Sequence, residues 1–234
     1  MNVKVILFDL DGTLLPMDQD IFIKAYFGLL AKKLSKYGYE PEKLIKSIWT
    51  GTMSMVNNNG LKTNEEVFWD KFKEIYGEEV IKDEIIFADF YENEFQEVQK
   101  ICGYNEQSNK LIKLLKEKGY KLVLATNPIF PFIATKSRIK WAGLDISDFE
   151  HITTYENSRY CKPNLKYYQE ILNRLNIKPE DCIMIGNDVN EDMVVNELGI
   201  KSFLLTDCLI NKDNKDISIY PNGNISDLLS YIEK

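Results

Sequence analysis

"FDLDGTL", at residues 8–14, follows the apolar run "VIL" of residues 5–7 almost at the start of the chain. A short apolar run that ends in Asp and Gly is typical of a buried β-strand. Because side chains alternate along an extended backbone, Asp9 and Asp11 point to the same side of it. The sequence therefore predicts two carboxylates directed at one place, at the end of a buried strand.

The composition is that of a globular protein with an acidic surface. The chain has 234 residues, of which 44% are hydrophobic, and this length allows one large domain or a domain that carries an insertion. There are 36 acidic and 29 basic side chains, for a formal net charge of -7, and no long basic run that could follow a phosphate backbone. We therefore expect no nucleic-acid partner.

The cysteines and the apolar segments indicate a soluble protein of a reducing compartment. Cys102, Cys161, Cys182 and Cys208 are dispersed, form no C-x-x-C pair and have no histidine at a zinc-like spacing, since His151 is the only histidine. The apolar segment at the start of the chain is too short for a signal peptide, and no stretch approaches the ~20 apolar residues of a membrane span. We expect a cytoplasmic protein without a membrane partner.

From residue 105 onward, short apolar runs alternate with helical patterns. The predicted strands are "YKLVLAT" (120–126), "FEHITT" (149–154), "DCIMIGND" (181–188) and "IKSFLLT" (200–206). Helices are predicted between them, for example over residues 167–175. This alternation implies an α/β fold with a doubly wound parallel sheet, covered by helices on both faces.

The segment between the first two strands has a different pattern. Residues 18–100 contain long helix-compatible stretches, at 19–38 and 63–77, with few strand signals between them. We predict an inserted α-helical cap domain, with crossings to the core near Pro16 and Gly103. The predicted domains are the core, residues 1–16 and 101–234, and the cap, residues 17–100.

Polar side chains follow several of the predicted strands. In an open parallel α/β sheet, ligands bind in the crevice beyond the carboxyl ends of the strands, so these side chains are expected to converge although they are far apart in the sequence. They are Asp9 and Asp11 after the first strand, Thr126 and Asn127, Lys162, and finally Asp188 and Asp192.

Such a cluster needs a cation. Two carboxylates ~3 Å apart at an effective dielectric constant of ~20 repel by roughly 5 kcal/mol. Arginine is scarce, since only Arg138, Arg159 and Arg174 occur, so anion recognition should depend on lysines, backbone amides or a metal. Oxygen ligands without a nearby histidine or thiolate favour Mg²⁺, and Lys162 adds a second positive charge.

A metal, a lysine and an exposed carboxylate can bring a phosphate dianion up to an anionic nucleophile. Phosphoryl transfer to Asp9 would follow, with Asp11 as the neighbouring acid that protonates the leaving alcohol. The crowding of the two carboxylates should raise the proton affinity of Asp11. Thr126 and Asn127 would donate hydrogen bonds to the phosphoryl oxygens.

Four motifs in this order resemble those of the haloacid dehalogenase (HAD) superfamily. They are "DLDGTL" (9–14), "ATN" (125–127), "KPN" (162–164) and "GNDVNED" (186–192), with an inserted helical segment between the first and the second. The match extends over nearly the whole chain. The resemblance implies a Rossmann-like core with a helical cap, and a magnesium-dependent phosphatase, because the dehalogenase branch lacks the acid at Asp11.

The resemblance also implies a role for each site residue. Asp9 would be the nucleophile and a magnesium ligand, and Asp11 the general acid/base, which binds the metal through its backbone carbonyl. Thr126 and Lys162 would hold the phosphoryl group, and Asp188 would complete the metal site. By the same resemblance, Asp192 would orient Lys162 or a metal-bound water.

The expected function is hydrolysis of a small soluble phosphomonoester, a phosphorylated metabolite, through an aspartyl phosphate on Asp9. A phosphosugar mutase would use the same intermediate, and a phosphonate-cleaving relative would need a Schiff-base lysine from the cap, where Lys24, Lys32 and Lys33 are available. A receiver-like signalling domain also combines acids, a Thr and a Lys on such a sheet, and is phosphorylated without turnover. These alternatives, and the oligomeric state, stay open at this point.

Overall fold

A computed structural model describes residues 3–232, and within them the chain forms a six-stranded parallel sheet in the order β3-β2-β1-β4-β5-β6. The strands are β1 (Val5–Phe8), β2 (Lys121–Leu124), β3 (His151–Ile152), β4 (Cys182–Gly186), β5 (Lys201–Leu205) and β6 (Asn222–Gly223). Strand β1 lies in the middle of the sheet, and the chain then adds two strands on one side of it and three on the other. This order confirms the doubly wound sheet, and it makes the β1–β4 boundary the point where the winding reverses.

Eight α-helices accompany the sheet in residues 3–232. They are α1 (Gln19–Leu34), α2 (Pro41–Val56), α3 (Asn64–Tyr76), α4 (Glu84–Glu92), α5 (Glu106–Glu117), α6 (Phe132–Trp141), α7 (Leu165–Leu175) and α8 (Ile225–Ile232). Shorter 3₁₀ segments are Ser35–Tyr37, Glu78–Asp83, Glu94–Ile101, Ile146–Asp148, Pro179–Asp181 and Met193–Leu198. None of the helices in the described part of the chain is both long and apolar enough to cross a membrane.

The two faces of the sheet have separate cores, as the alternation along β1 requires. Ile6 and Phe8 belong to a core that includes residues of helices α5, α6 and α8, whereas Val5 and Leu7 pack with Tyr167 and its neighbours on α7. All four β1 side chains are buried. A strand buried on both faces reads as a continuous apolar run, which is why the sequence signal of β1 is clear.

Helices α1 to α4 form the predicted helical insertion between β1 and β2. Aromatic rings dominate their packing, as where Phe72 stacks on Phe68 at 4.7 Å and meets Phe87 edge-on at 5.9 Å. At the base of the insertion the two chain crossings meet, because the Gly103 amide donates to the Pro16 carbonyl at 2.7 Å. Helix α3 begins with a capping box, in which Thr63 and Glu66 satisfy each other's backbone amides.

Four elements differ from the sequence-based expectation. Strand β3 keeps only two of the six expected residues, and directly after it the Thr153 hydroxyl bonds to the carbonyls of Leu124 and Thr126. The helix expected before Gly199 is a 3₁₀ segment. Strand β6 and helix α8 were not predicted, although Ile225, Leu228 and Ile232 recur at helical spacing and are buried.

Candidate active site

The strand order brings three of the predicted groups to one edge of the sheet. Strand β1 lies between β2 and β4, with Phe8 in register with Leu124 on one side and with Ile185 on the other. The chain continues from these positions to Asp9, Thr126 and Asp188, which line one cavity. The site therefore lies at the carboxyl ends of the central strands, where the winding reverses.

Lys162 joins this group from the loop before α7. Its side chain is fully buried, and Nζ donates to Asp9 Oδ1 at 2.8 Å and to Asp192 Oδ1 at 2.6 Å. Burial alone would lower the pKa of Lys162, but the charges of Asp192 and Asp9 outweigh it and hold the pKa well above its ordinary value. The lysine is thus a fixed positive charge beside Asp9.

Asp192 is fixed from two sides. Besides Lys162, its Oδ2 accepts the backbone amide of Asp188 at 3.0 Å. Gly186, the last residue of β4, allows this approach, because a Cβ there would lie 2.1 Å from Asp192 Oδ2. Asp192 therefore touches both Lys162 and the backbone of Asp188, and it is almost fully buried.

Asp11 has a different partner from Asp9 and Asp192, although it lines the same cavity. Its Oδ2 forms an ion pair with Nη1 of Arg138 on α6, and the guanidinium lies over the Phe130 ring at 4.5 Å. Removal from water raises the pKa of Asp11 and the charge of Asp9 adds to this, while Arg138 opposes both. A raised pKa of Asp11 agrees with the sequence-based expectation, but burial contributes more to it than the nearby charge of Asp9 does.

Two expectations from the residues alone are corrected by this pair. The three carboxylates of Asp9, Asp11 and Asp188 were expected to form one oxygen cluster, and the Asp11 carboxylate turns to Arg138 instead. An arginine was not expected at the site. Arg138 lies 127 residues from Asp11 in the middle of a helix, and nothing in its local sequence marks it.

The second motif follows β2 as predicted, and its Asn127 contacts the fourth motif. Thr126 is buried against the cavity, and helix α6 begins only at Phe132, so Thr126 does not cap it. The Asn127 amide donates to the carboxyl oxygens of Glu191, at 3.1 and 3.2 Å. Burial raises the pKa of Glu191 to about 8. Sequence reasoning missed Glu191, although it lies inside the fourth motif.

Thr13 and Asn187 also belong to the site and were not singled out from the sequence. The Thr13 hydroxyl lies 3.3 Å from Asp9 Oδ2 and 3.0 Å from Asn187 Oδ1. Gly12 has a φ of +82°, and a Cβ there would lie 2.3 Å from Asn187 Nδ2, so only glycine fits this turn. The turn after β1 therefore packs directly on the loop after β4.

The oxygen atoms at the site suit a magnesium ion. No group of three His, Cys, Asp or Glu side chains is arranged as a metal cluster in residues 3–232. The expected ligand set needs only the Asp9 and Asp188 carboxylates, which both line the cavity, together with the Asp11 carbonyl. Asp188 is oriented for this by its Oδ1, which accepts the amides of Asn190 at 2.7 Å and Glu191 at 3.0 Å. Hard oxygen donors and room for water fit Mg²⁺.

A cavity of about 190 Å³ extends from these residues into the helical insertion. The carboxylates form its polar end. The opposite walls are largely aromatic, with Tyr26 and Phe27 from α1, Trp49 from α2 and Trp69 from α3 among them. Phe72 is buried within the packing of the cap itself, whereas Trp49 keeps 45% of its surface exposed.

A protein-family comparison supports the same placement of the motifs. Residues 3–195 match the family model of the haloacid dehalogenase-like hydrolases. This range includes the buried strand, the helical insertion and every site residue described above. The chain belongs to the haloacid dehalogenase-like hydrolases and is an enzyme of that family.

Individual relatives are distant. A glyceraldehyde 3-phosphate phosphatase of Methanothermobacter thermautotrophicus is 33% identical over 100 residues, which span 42% of this chain and 41% of that protein. The pyrophosphatase PpaX of Halalkalibacterium halodurans is 24% identical over 202 residues, 86% of this chain and 83% of its own. The solved structure of a HAD phosphatase from Thermococcus onnurineus shares the fold, with a TM-score of 0.59, 16% identity and 98% coverage of both chains.

Proposed function

We propose that this hydrolase is a magnesium-dependent phosphatase, which cleaves a small soluble phosphomonoester through an aspartyl phosphate on Asp9. The observation that carries the proposal is the pairing of Asp9 with the buried ammonium of Lys162 at the floor of a cavity. A fixed cation at this point offsets the repulsion between the Asp9 carboxylate and an incoming phosphate dianion. The names of the relatives, a glyceraldehyde 3-phosphate phosphatase and a pyrophosphatase, support a substrate that contains phosphate.

In the first half of the proposed reaction, an Asp9 carboxylate oxygen attacks phosphorus and the bond to the ester oxygen breaks. The leaving oxygen takes a proton from the Asp11 carboxyl group; burial raises the pKa of this group and so makes its protonation easier. Thr126 lies in the cavity wall, where its hydroxyl can donate to a phosphoryl oxygen. Lys162 stays protonated throughout and, through its ion pair with Asp9, offsets the negative charge that gathers at the reacting centre.

In the second half, the Asp11 carboxylate accepts a proton from water while the water oxygen attacks the phosphorus of the aspartyl phosphate. Inorganic phosphate leaves, and Asp9 and the protonated Asp11 are restored. Arg138 keeps the Asp11 carboxyl group in place for both proton transfers. Asp192 acts indirectly, because it orients Lys162 and the Asp188 backbone.

Mg²⁺ would be held by the carboxylates of Asp9 and Asp188 and by the backbone carbonyl of Asp11, and it would supply positive charge for the phosphoryl oxygens. The turn that presents Asp188 is fixed by the Asn190 and Glu191 amides. This ligand set leaves positions for water and for the substrate, as magnesium sites in phosphoryl-transfer enzymes require.

Residues 17–100 are proposed as a separate cap domain over the core of residues 1–16 and 101–234. The hydrogen bond between Gly103 and Pro16 places both crossings at one point, which suits a hinge between two bodies. Opening at this point would admit substrate, and closing would exclude water during phosphoryl transfer.

The placement of the cap lysines favours phosphate over phosphonate chemistry. Lys33 forms ion pairs with Asp89 and with Glu94, the latter at 2.9 Å. Neither it, Lys24 nor Lys32 is among the described residues that line the cavity. A Schiff base with a substrate in this cavity would need one of these amines inside it.

A single assay with matched variants tests the proposal. With p-nitrophenyl phosphate and Mg²⁺, the native protein should release many phosphates per chain. Asp9→Asn should release none, while Asp207→Asn, an exposed carboxylate outside the cavity, should behave as native. A stoichiometric stop after one phosphoryl group would indicate a receiver-like domain, and transfer between sugar hydroxyls without phosphate release would indicate a mutase.

A further inference from the structure

The charges of the cavity are all of one sign. The side chains of its wall that can carry a charge at neutral pH are the carboxyl groups of Asp9, Asp11, Asp188, Glu191 and Asp192. Among residues 3–232, neither lysine nor arginine nor histidine contributes to the wall. A ligand group in this cavity therefore finds no free cation other than those committed to the reacting phosphate.

The two cations nearby lie behind the carboxylates. Lys162 is fully buried and shared by Asp9 and Asp192, and Arg138 is 1% exposed and paired with Asp11. Both are already neutralised by these partners. A second negative charge on the substrate, at the far end from the transferred phosphate, would lose its water without gaining a partner.

The end of the cavity that the cap forms is apolar. The polar groups that the cap offers to the wall include the uncharged side chains of Gln19 and Thr52, and they stand among aromatic rings. Trp49 is 45% exposed, leans on Phe27 with ring centroids 5.5 Å apart and lines the same cavity. An exposed indole beside an apolar cavity offers a flat surface to another ring or to an apolar body.

We propose, on the basis of the proposed phosphatase reaction, that the substrate's leaving group is uncharged and carries an apolar body of about the size of an aromatic ring. Trp49 and Phe27 are the cap residues that select it. Substrates whose leaving group bears a second anion, such as inorganic pyrophosphate, fit this cavity poorly. The selection lies in the cap wall and is separate from the chemistry at Asp9.

Three esters of similar intrinsic reactivity test separately the absence of charge on the leaving group and its apolar body. Benzyl phosphate carries a neutral ring, 4-carboxybenzyl phosphate adds one charge to the same ring, and ethyl phosphate lacks the ring. With Mg²⁺ we expect kcat/KM for benzyl phosphate to exceed that for each of the others by about tenfold to a hundredfold, from burial of the ring and from the unpaired charge. Equal values for the three esters would overturn the proposal and leave the phosphatase function intact.

Two cap variants locate the selection. Trp49→Ala should lower the ratio of benzyl to ethyl phosphate kcat/KM by about tenfold, and Thr52→Lys should raise the use of the carboxylated ester relative to benzyl phosphate. Ile85→Ala, at a position that is 74% exposed and outside the cavity wall, should leave both ratios unchanged. Unchanged ratios in Trp49→Ala would contradict the assignment of the indole.

Binding of non-hydrolysable analogues tests the same selection without turnover. Isothermal titration of the native protein with benzylphosphonate, 4-carboxybenzylphosphonate and ethylphosphonate should give the tightest Kd for the first, by about tenfold. If no ester is hydrolysed but this order holds, the proposed function fails and the selective cavity stands. If binding shows no preference for the neutral ring, the cavity proposal fails whatever the activity.

Discussion

Arg138 and Asp11 form an ion pair that ties helix α6 to the turn after strand β1. The guanidinium is 1% exposed, and its Nη2 and Nε also donate to the Thr135 hydroxyl and the Ala134 carbonyl, at 3.2 and 3.4 Å. Asp11 Oδ1 has no hydrogen-bond partner in the described part of the chain. One oxygen of the carboxyl group is therefore anchored, while the other is left without a partner.

The first prediction concerns the stability of this pair. Arg138→Met removes the counter-charge of a partly buried carboxylate, so the free energy of unfolding at pH 7 should fall by about 3–5 kcal/mol, as when one partner of a buried pair is deleted. Urea unfolding measures it. In a double-mutant cycle with Asp11→Asn the losses should be less than additive by about 1 kcal/mol or more, and strict additivity would mean that the pair is not formed.

The second prediction separates the roles of the two carboxyl groups. Asp11→Asn keeps Asp9, the proposed nucleophile, but removes the proposed proton donor and base, each worth about 10²–10⁴ in rate. With p-nitrophenyl phosphate, whose leaving group needs little protonation, this variant should show a burst followed by slow turnover. Intact-mass measurement after rapid acid quench should find one added phosphoryl group. Phosphate trapped by Asp9→Asn instead would reverse the assigned roles.

The third prediction concerns Mg²⁺. Removal with a chelator should lower kcat/KM by at least about a hundredfold, and Mg²⁺ should restore it, whereas Ca²⁺ should substitute poorly because its looser coordination misplaces the attack. Independently of activity, Mg²⁺ should raise the melting temperature of the native protein, and much less that of Asp188→Asn. A metal-independent melting temperature together with full activity in chelator would rule the metal out.

The fourth prediction is a pH dependence of stability that arises away from the active site. Burial on β3, helped by the charge of Arg174, lowers the pKa of His151 to about 4. The unfolded chain takes up this proton near pH 6.5, so between pH 6.5 and 4 protonation favours the unfolded state and stability falls as the pH falls. His151→Gln should remove that part of the slope in urea unfolding at pH 7, 6 and 5. An identical slope in the variant would contradict the shift.

The central strands could be predicted because their signals are local. Strand β1 is apolar at every position, and β4 likewise has all five residues buried, so each appears as a short apolar run. The order of the strands depends on which apolar runs pair with each other. No local sequence signal specifies this pairing. Strand β6 has only two residues, Asn222 and Gly223, and lacks any apolar run.

The candidate site also contains residues that could be predicted from the sequence and residues that could not. Asp9, Thr126, Lys162 and Asp188 follow predicted strands or motifs, and the structure brings them together as expected. Arg138 could not be predicted, because its function depends on the direction of a side chain across the cavity floor. The contact of Asn127 with Glu191 could not be predicted either, because it depends on how the loop after β2 and the loop after β4 lie relative to each other.

The meeting of Pro16 and Gly103 has a consequence for how this protein could change over time. Because the two ends of the helical insertion are joined by a 2.7 Å hydrogen bond, the insertion leaves the core and returns to it at one point, so the strand order does not depend on its length. A segment of another length or sequence could replace residues 17–100 at small entropic cost to the core. The proposed reaction chemistry can therefore be inherited with the strands of the core. Substrate preference can be inherited separately, with the helical insertion.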